Sequence, residues 1–254
     1  MRDIEVKELK KVNAKKIFLL EGLPGVGNVG KIAVDFMVEA LDAKKIFEFH
    51  SPFFPHCVFV NERGGFSLPK IGLYHIKRGK KDLFFLSGDV QPSGERACYL
   101  LSEAVLDVLK SFSVQEVVTL GGMALENIPD QPRVFYASSG KQSSEFYKKK
   151  HLSHCGGSVG PIIGMSGVLA GLAKERNIPS SILLAETFNH PTYIGVKESR
   201  LLLDILNSKF NLRLNLKELD KEIEMIEKEI KNKIERFFLQ QREDDDYTHV
   251  SYMG

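Results

Sequence analysis

The segment Lys16–Leu41, KIFLLEGLPGVGNVGKIAVDFMVEAL, constrains the fold more than any other part of this chain. An apolar strand, Ile17 to Leu20, runs into Gly25, Gly27 and Gly30, and an amphipathic helix follows. Glycines at this spacing allow positive φ, let the backbone approach a neighbour closely and expose helix N-terminal N–H groups to an anion. The pattern matches G-x-G-x-x-G, and Glu48 stands roughly 20 residues on, where a dinucleotide fold places its ribose-binding carboxylate. Gly25, Gly27, Asn28, Gly30 and Lys31 are therefore a candidate ligand-binding loop, set against the favoured reading of a tight strand-to-helix turn packed against neighbouring strands. Lys31 follows Gly30 directly, which is not the spacing of a phosphate-loop lysine.

The residues after Glu48 argue against a dinucleotide enzyme. A doubly wound fold needs strand, helix and strand again. Instead, Pro52 and Pro55 lead into short β-rich runs, Val58–Val60, Gly72–Ile76 and Leu83–Leu86, separated by turn signals at Arg63–Gly65 and Arg78–Gly79. That is the pattern of an antiparallel meander. The α/β rhythm then resumes, with helical spacing over Gly94–Phe112, Gly164–Arg176 and Lys197–Phe210, and buried-strand runs at Glu116–Leu120 and Ser181–Ala185. Gly121–Gly122 reads as the loop closing the first of these strands. Pro129–Gly157 reads as a long connection holding one strand-like patch, Val134–Ala137.

From Leu214 the pattern changes. Leu216, Leu219, Ile223, Ile226, Ile230 and Phe237 fall on alternating three- and four-residue steps with Glu and Lys between them, Lys233 holding the seam position before Phe237 with Ile234 beside it to pack instead. This near-heptad seam predicts a helix that packs on a partner chain or on its own domain. The final stretch, QQREDDDYTHVSYMG, is polar and acidic and reads as flexible. The expected organisation is an α/β domain over 1–212, an amphipathic helix over 213–240 and a flexible acidic tail over 241–254.

The formal charge is +2, with 43% hydrophobic and 27% charged residues, so nothing in the composition asks for a nucleic-acid partner. No apolar run approaches a membrane span, and MRDIEVKELKK lacks an apolar core of signal-peptide length. Cys57, Cys98 and Cys155 are odd in number and not in C-x-x-C pairs, which suits a reducing cytoplasm. His50, His56 and Cys57, and separately His151, His154 and Cys155, match no standard zinc spacing, so no metal is expected. Gly164-Met165-Ser166-Gly167-Val168 begins like a nucleophile elbow but has Val168 in place of the last glycine. Asp89, Glu95, Glu126, Asp130 and Glu186 fall near expected strand ends, yet no pair has a spacing that demands acid–base roles. No catalytic residue and no cofactor is assigned.

Taken in order, GLPGVGNVGK, SPFFPHCVFV, LFFLSGDVQPSGERACYLLSEAVLDV, VVTLGGMALE, PRVFYASS and GMSGVLAGLAKERNIPSSILLAET resemble the proteasome assembly chaperone family. The archaeal and bacterial relatives of the second eukaryotic assembly chaperone are the nearest comparison, from about Lys16 to Phe237. The resemblance implies a three-layer α/β/α sandwich with a mixed sheet, of the phosphorylase/hydrolase-like type. It also implies homo-oligomers, no established enzyme activity, and binding to proteasome α-subunits during core-particle assembly. Archaeal members often dock through a final hydrophobic–Tyr–any tripeptide. This chain ends Tyr252-Met253-Gly254, with the tyrosine one position early. The alternative, from a different class, is a ligand-binding enzyme or sensor built on Gly25–Gly30.

Overall fold

The computed structural model describes residues 3–92, 94–157, 159–217 and 220–221. The chain divides into two units, Met1–Leu214 and Asn215–Gly254. In the first, β1 (Glu5–Glu8), β2 (Lys16–Glu21) and α1 (Val29–Ala40) are followed by β3 (Lys44–His50) and a two-stranded ribbon of β4 (Phe59–Val60) and β5 (Phe66–Ser67). The hairpin β6 (Ile71–Arg78) and β7 (Lys81–Gly88) precedes α2 (Glu95–Leu109), β8 (Ser113–Leu125) and β9 (Val134–Ser138). Then come α3 (Lys141–Lys149), β10 (Ser153–His154), α4 (Met165–Glu175), β11 (Ser180–Phe188) and α5 (Val196–Phe210).

Nine strands form one sheet in the order β1-β3-β6-β7-β2-β8-β11-β9-β10. The central pairs β7–β2, β2–β8 and β8–β11 are parallel, whereas β1–β3, β3–β6, β6–β7 and β9–β11 are antiparallel. Parallel strands are buried on both faces, which explains why Leu83 to Leu86 is an unbroken buried run without alternation. Helices α2 and α4 pack together on one face, and α1 and α5 on the other. The result is a three-layer α/β/α sandwich with a mixed sheet. Ile17 and Leu19 of β2 face the α2/α4 layer with Leu101, Val105, Met165 and Leu169, while the Phe18 ring meets Phe210 of α5 edge-on. In the second unit, Asp220 N–H donates to Leu216 O at 3.0 Å, a helical contact. Leu219, Ile223, Ile226, Ile230, Phe237, Tyr252, Met253 and Gly254 lie outside the described residues.

Several local expectations are corrected. Glu48 does not approach the glycine loop, because the β6–β7 hairpin inserts between β3 and β2; Glu48 instead accepts a bond from Lys45 at 2.9 Å. The Val58–Val60 run joins the separate ribbon, not the main sheet. The strand expected to end at Leu120 continues to Leu125, so Gly121 and Gly122 are strand residues. The connection over Pro129–Gly157 contains α3, which buries Tyr147 and no other residue, so it carries no apolar period to read. β1 is exposed along its whole length and holds the sheet edge through its pairing with β3.

Candidate functional site

The carboxyl ends of β2, β8 and β11 meet the glycine loop, the start of α4 and the start of α5. Here the glycines serve close packing. A Cβ on Gly22 would stand 2.1 Å from Gly30 O, one on Gly30 2.3 Å from Leu120 O, and one on Gly122 2.3 Å from Val26 O. The backbones of β2, α1 and β8 therefore touch where any side chain would hold them apart. Gly27 adopts φ 60° against Thr187, and Asn28 adopts φ 53° before α1 begins. The loop is also tied to α5. Gly195 N–H donates to Gly27 O at 2.8 Å, and Ser199 Oγ donates to Val29 O at 2.9 Å. Gly25 is the open member, with nothing nearer than 3.9 Å to its notional Cβ. Replacing Gly30 with alanine is expected to cost about 2–3 kcal/mol through this overpacking, read as a lower midpoint in urea unfolding.

Lys31 turns away from an anion role at the loop. Its Nζ pairs with Asp35 at 2.5 Å, one turn along α1, and Asp35 also accepts from Ser87 of β7. The five candidate loop residues thus lie in one segment, with the lysine already matched to a carboxylate.

Two buried carboxyl groups at this end were not singled out by sequence. Glu21 closes β2 and is fully buried. Ser166 Oγ donates to its Oε2 at 3.0 Å, while Oε1 has no hydrogen-bond partner among the described residues. Burial pushes the Glu21 carboxyl up to about 8, with the Ser166 bond pulling the other way. Glu21 is therefore largely a neutral acid at pH 7. Ser166, the centre of the elbow-like motif, has as partners the Glu21 carboxyl, largely protonated at that pH, and the Leu120 carbonyl. Glu198, in the first turn of α5, is fully buried and accepts from Tyr193 OH at 2.9 Å; burial raises its pKa as well. A signal for Glu21 existed: a carboxylate ends an otherwise apolar buried strand immediately before a glycine.

The other candidates separate. Glu186 takes a bidentate bond from Arg133, which holds its carboxyl below the usual range. Asp89 caps the Lys70 N–H at 3.1 Å, Glu95 stands in the first turn of α2, and the Asp130 carbonyl accepts from Lys197. His154 Nδ1 accepts from Gly156 N–H and its ring meets Tyr136, while Cys155 is buried and Cys57 exposed. Among the described residues no group of three or more His, Cys, Asp or Glu side chains could hold a metal ion. Among the same residues, no helix is long and apolar enough to cross a membrane.

Known proteins share this fold. The PAC2 family pattern matches residues 19–234. PbaB of Pyrococcus furiosus, an archaeal proteasome activator, superposes with a TM-score of 0.84 at 28% identity, covering 92% of this chain and 100% of that one. PbaA of the same organism, an archaeal homolog of proteasome-assembly chaperone, superposes with a TM-score of 0.76 at 24% identity over 99% of this chain and 100% of that one. The uncharacterized protein MJ1210 of Methanocaldococcus jannaschii is 26% identical over 234 residues, 92% of this chain and 88% of that protein.

Proposed function

This chain belongs to the PAC2 family, and from that premise we propose that it is a chaperone-type binding protein of the proteasome core particle and not an enzyme. The likeness to the proteasome activator PbaB, in sequence and over nearly the whole fold, carries the proposal. The site geometry supports a binding role. The loop glycines are taken up by contacts between β2, α1 and β8, and Ser166 is hydrogen-bonded to the Glu21 carboxyl, which is largely protonated at pH 7.

In this reading the protein acts in the cytoplasm, assembles with copies of itself and binds proteasome α-subunits. The repeat of Leu216, Leu219, Ile223, Ile226, Ile230 and Phe237 supplies the self-association surface, as a heptad-like seam does. The segment Tyr252-Met253-Gly254 supplies the contact with the α-ring, with the Tyr252 ring as its aromatic anchor.

A pull-down from source-cell lysate tests this, using the full-length chain and a version lacking Asp244–Gly254. The expected result is recovery of α-subunits by the full-length chain and their loss with the truncation. Recovery by both would move the contact out of the tail. Recovery by neither, with α-subunits detectable in the lysate, would overturn the proteasome assignment.

A further inference from the structure

The end of the sheet opposite the glycine loop carries two adjoining clefts that share the β6–β7 turn. One, of about 450 Å³, is lined by Arg78, Lys80, Lys81, Phe210, Leu212 and Arg213. The other, of about 540 Å³, is lined by Lys15, Lys16, Lys77, Lys80 and Asp82. Strand pairing brings these separate segments together: Lys77 faces Asp82 and Arg78 faces Lys81 across the hairpin, while Ile17 of β2 pairs with Asp82. The chain after α5 folds back beside them, with Asn211 at φ 53° and Arg213 at φ 58°.

Seven cations thus surround one turn: Lys15, Lys16, Lys77, Arg78, Lys80, Lys81 and Arg213. Among the described residues none of them has a carboxylate within ion-pair distance. Asp82, the one carboxylate in the lining of these clefts, offsets a single charge of the seven; it is buried, and its oxygens are engaged by His75 Nε2 at 2.9 Å and the Lys15 N–H at 3.3 Å. Nearby Lys209 is different in kind: it turns inward to Glu116. The chain as a whole has a formal charge of +2, so this concentration is local. Clustered like charges repel, and a ligand carrying several negative charges relieves that repulsion.

We propose that the two clefts form a docking surface for an acidic peptide segment of a partner protein, its consecutive carboxylates straddling the Arg78–Lys81 turn. Nucleic acid is a poorer match. Lys81 Nζ stands over the Phe18 and Phe210 rings at 5.6 and 5.5 Å, which caps the aromatic faces a base would stack on. An anionic membrane is poorer still, because the apolar lining residues Phe210 and Leu212 are buried and nothing apolar projects to insert. Short carboxylate side chains suit the separate ammonium points that lysines present. The surface lies at the opposite end of the sheet from the glycine loop.

The test is fluorescence anisotropy of a fluorescein-labelled Asp/Glu octapeptide with the full-length chain at 50 mM and 300 mM salt. The wild type is expected to bind, more weakly at the higher salt. R78E/K80E, on the exposed turn, is expected to bind about tenfold more weakly, since two attractions become repulsions. R78Q/K80Q should fall between, and K148E/K149E on α3 should stay within about twofold of wild type, with thermal melts confirming that each variant is folded. Absence of binding at 50 mM salt would overturn the proposal. So would equal loss in R78E/K80E and K148E/K149E, or tighter binding of an eight-nucleotide oligouridine than of the peptide.

Discussion

Replacing Glu21 with glutamine is expected to flatten the fall in stability that the wild-type chain shows between about pH 5 and pH 8. The Glu21 carboxyl is raised from 4.5 to about 8 by complete burial. A folded-state value above the unfolded one means that the native state holds the proton more tightly. The stability this provides is complete below about pH 4.5 and is lost as pH rises through 8. Over that interval the loss approaches roughly 5 kcal/mol, at about 1.4 kcal/mol per pH unit. Glutamine has the same shape, remains neutral throughout and still offers a carbonyl to the Ser166 hydroxyl. The two proteins should therefore have similar stability near pH 5 and diverge by several kcal/mol at pH 9, with the variant the more stable. Urea unfolding at pH 5, 7 and 9 measures this. Parallel pH profiles for the two would show that Glu21 ionises freely in the native state.

Lys209→Met is expected to cost about 3–5 kcal/mol, because it strands Glu116 as a buried charge. Lys209 Nζ donates to Glu116 Oε1 at 2.8 Å, to Ser143 Oγ at 3.0 Å and to Tyr147 OH at 2.7 Å. It also stands 4.3 Å from the centre of the Tyr147 ring. The side chains of Lys209 and Glu116 are 9% and 4% exposed, so solvent cannot replace either partner. Ser181 Oγ adds a bond to Glu116 at 2.7 Å, which ties β11 to the same cluster. Removing one charge is far worse than removing both, since the desolvation penalty of the survivor goes unanswered. The double variant K209M/E116L should accordingly recover much of the loss. A double-mutant cycle in urea gives the coupling directly. Additive costs would mean that the two charges do not depend on each other.

Much of the local structure was legible in the sequence. Helices expected over Gly94–Phe112, Gly164–Arg176 and Lys197–Phe210 appear as Glu95–Leu109, Met165–Glu175 and Val196–Phe210. Each has an apolar stripe written at helical spacing within a single segment. The break in the dinucleotide pattern was equally legible, because turn residues at Arg63–Gly65 and Arg78–Gly79 leave no room for a helix before β7. The glycine loop could be located and its packing against neighbouring strands expected, but not the particular residues it packs against. Whether a glycine turns the chain or admits a neighbour depends on what lies across from it, as Gly30 against Leu120 and Gly122 against Val26 make plain.

What the sequence by itself determined, then, is the set of strands and helices whose apolar periods are local, together with the order in which they occur. The tertiary structure decided which of them became neighbours. Glu21 met Ser166, Glu116 met Lys209, and Lys15, Lys80 and Arg213 came to one end of the sheet because β7, β2, β8 and β11 pair side by side. Side-chain alternation tells a strand which face to bury, but nothing within the strand names the partner that supplies its remaining hydrogen bonds. That choice belongs to the packing of the whole sheet, and the buried carboxyls and the clustered cations follow from it.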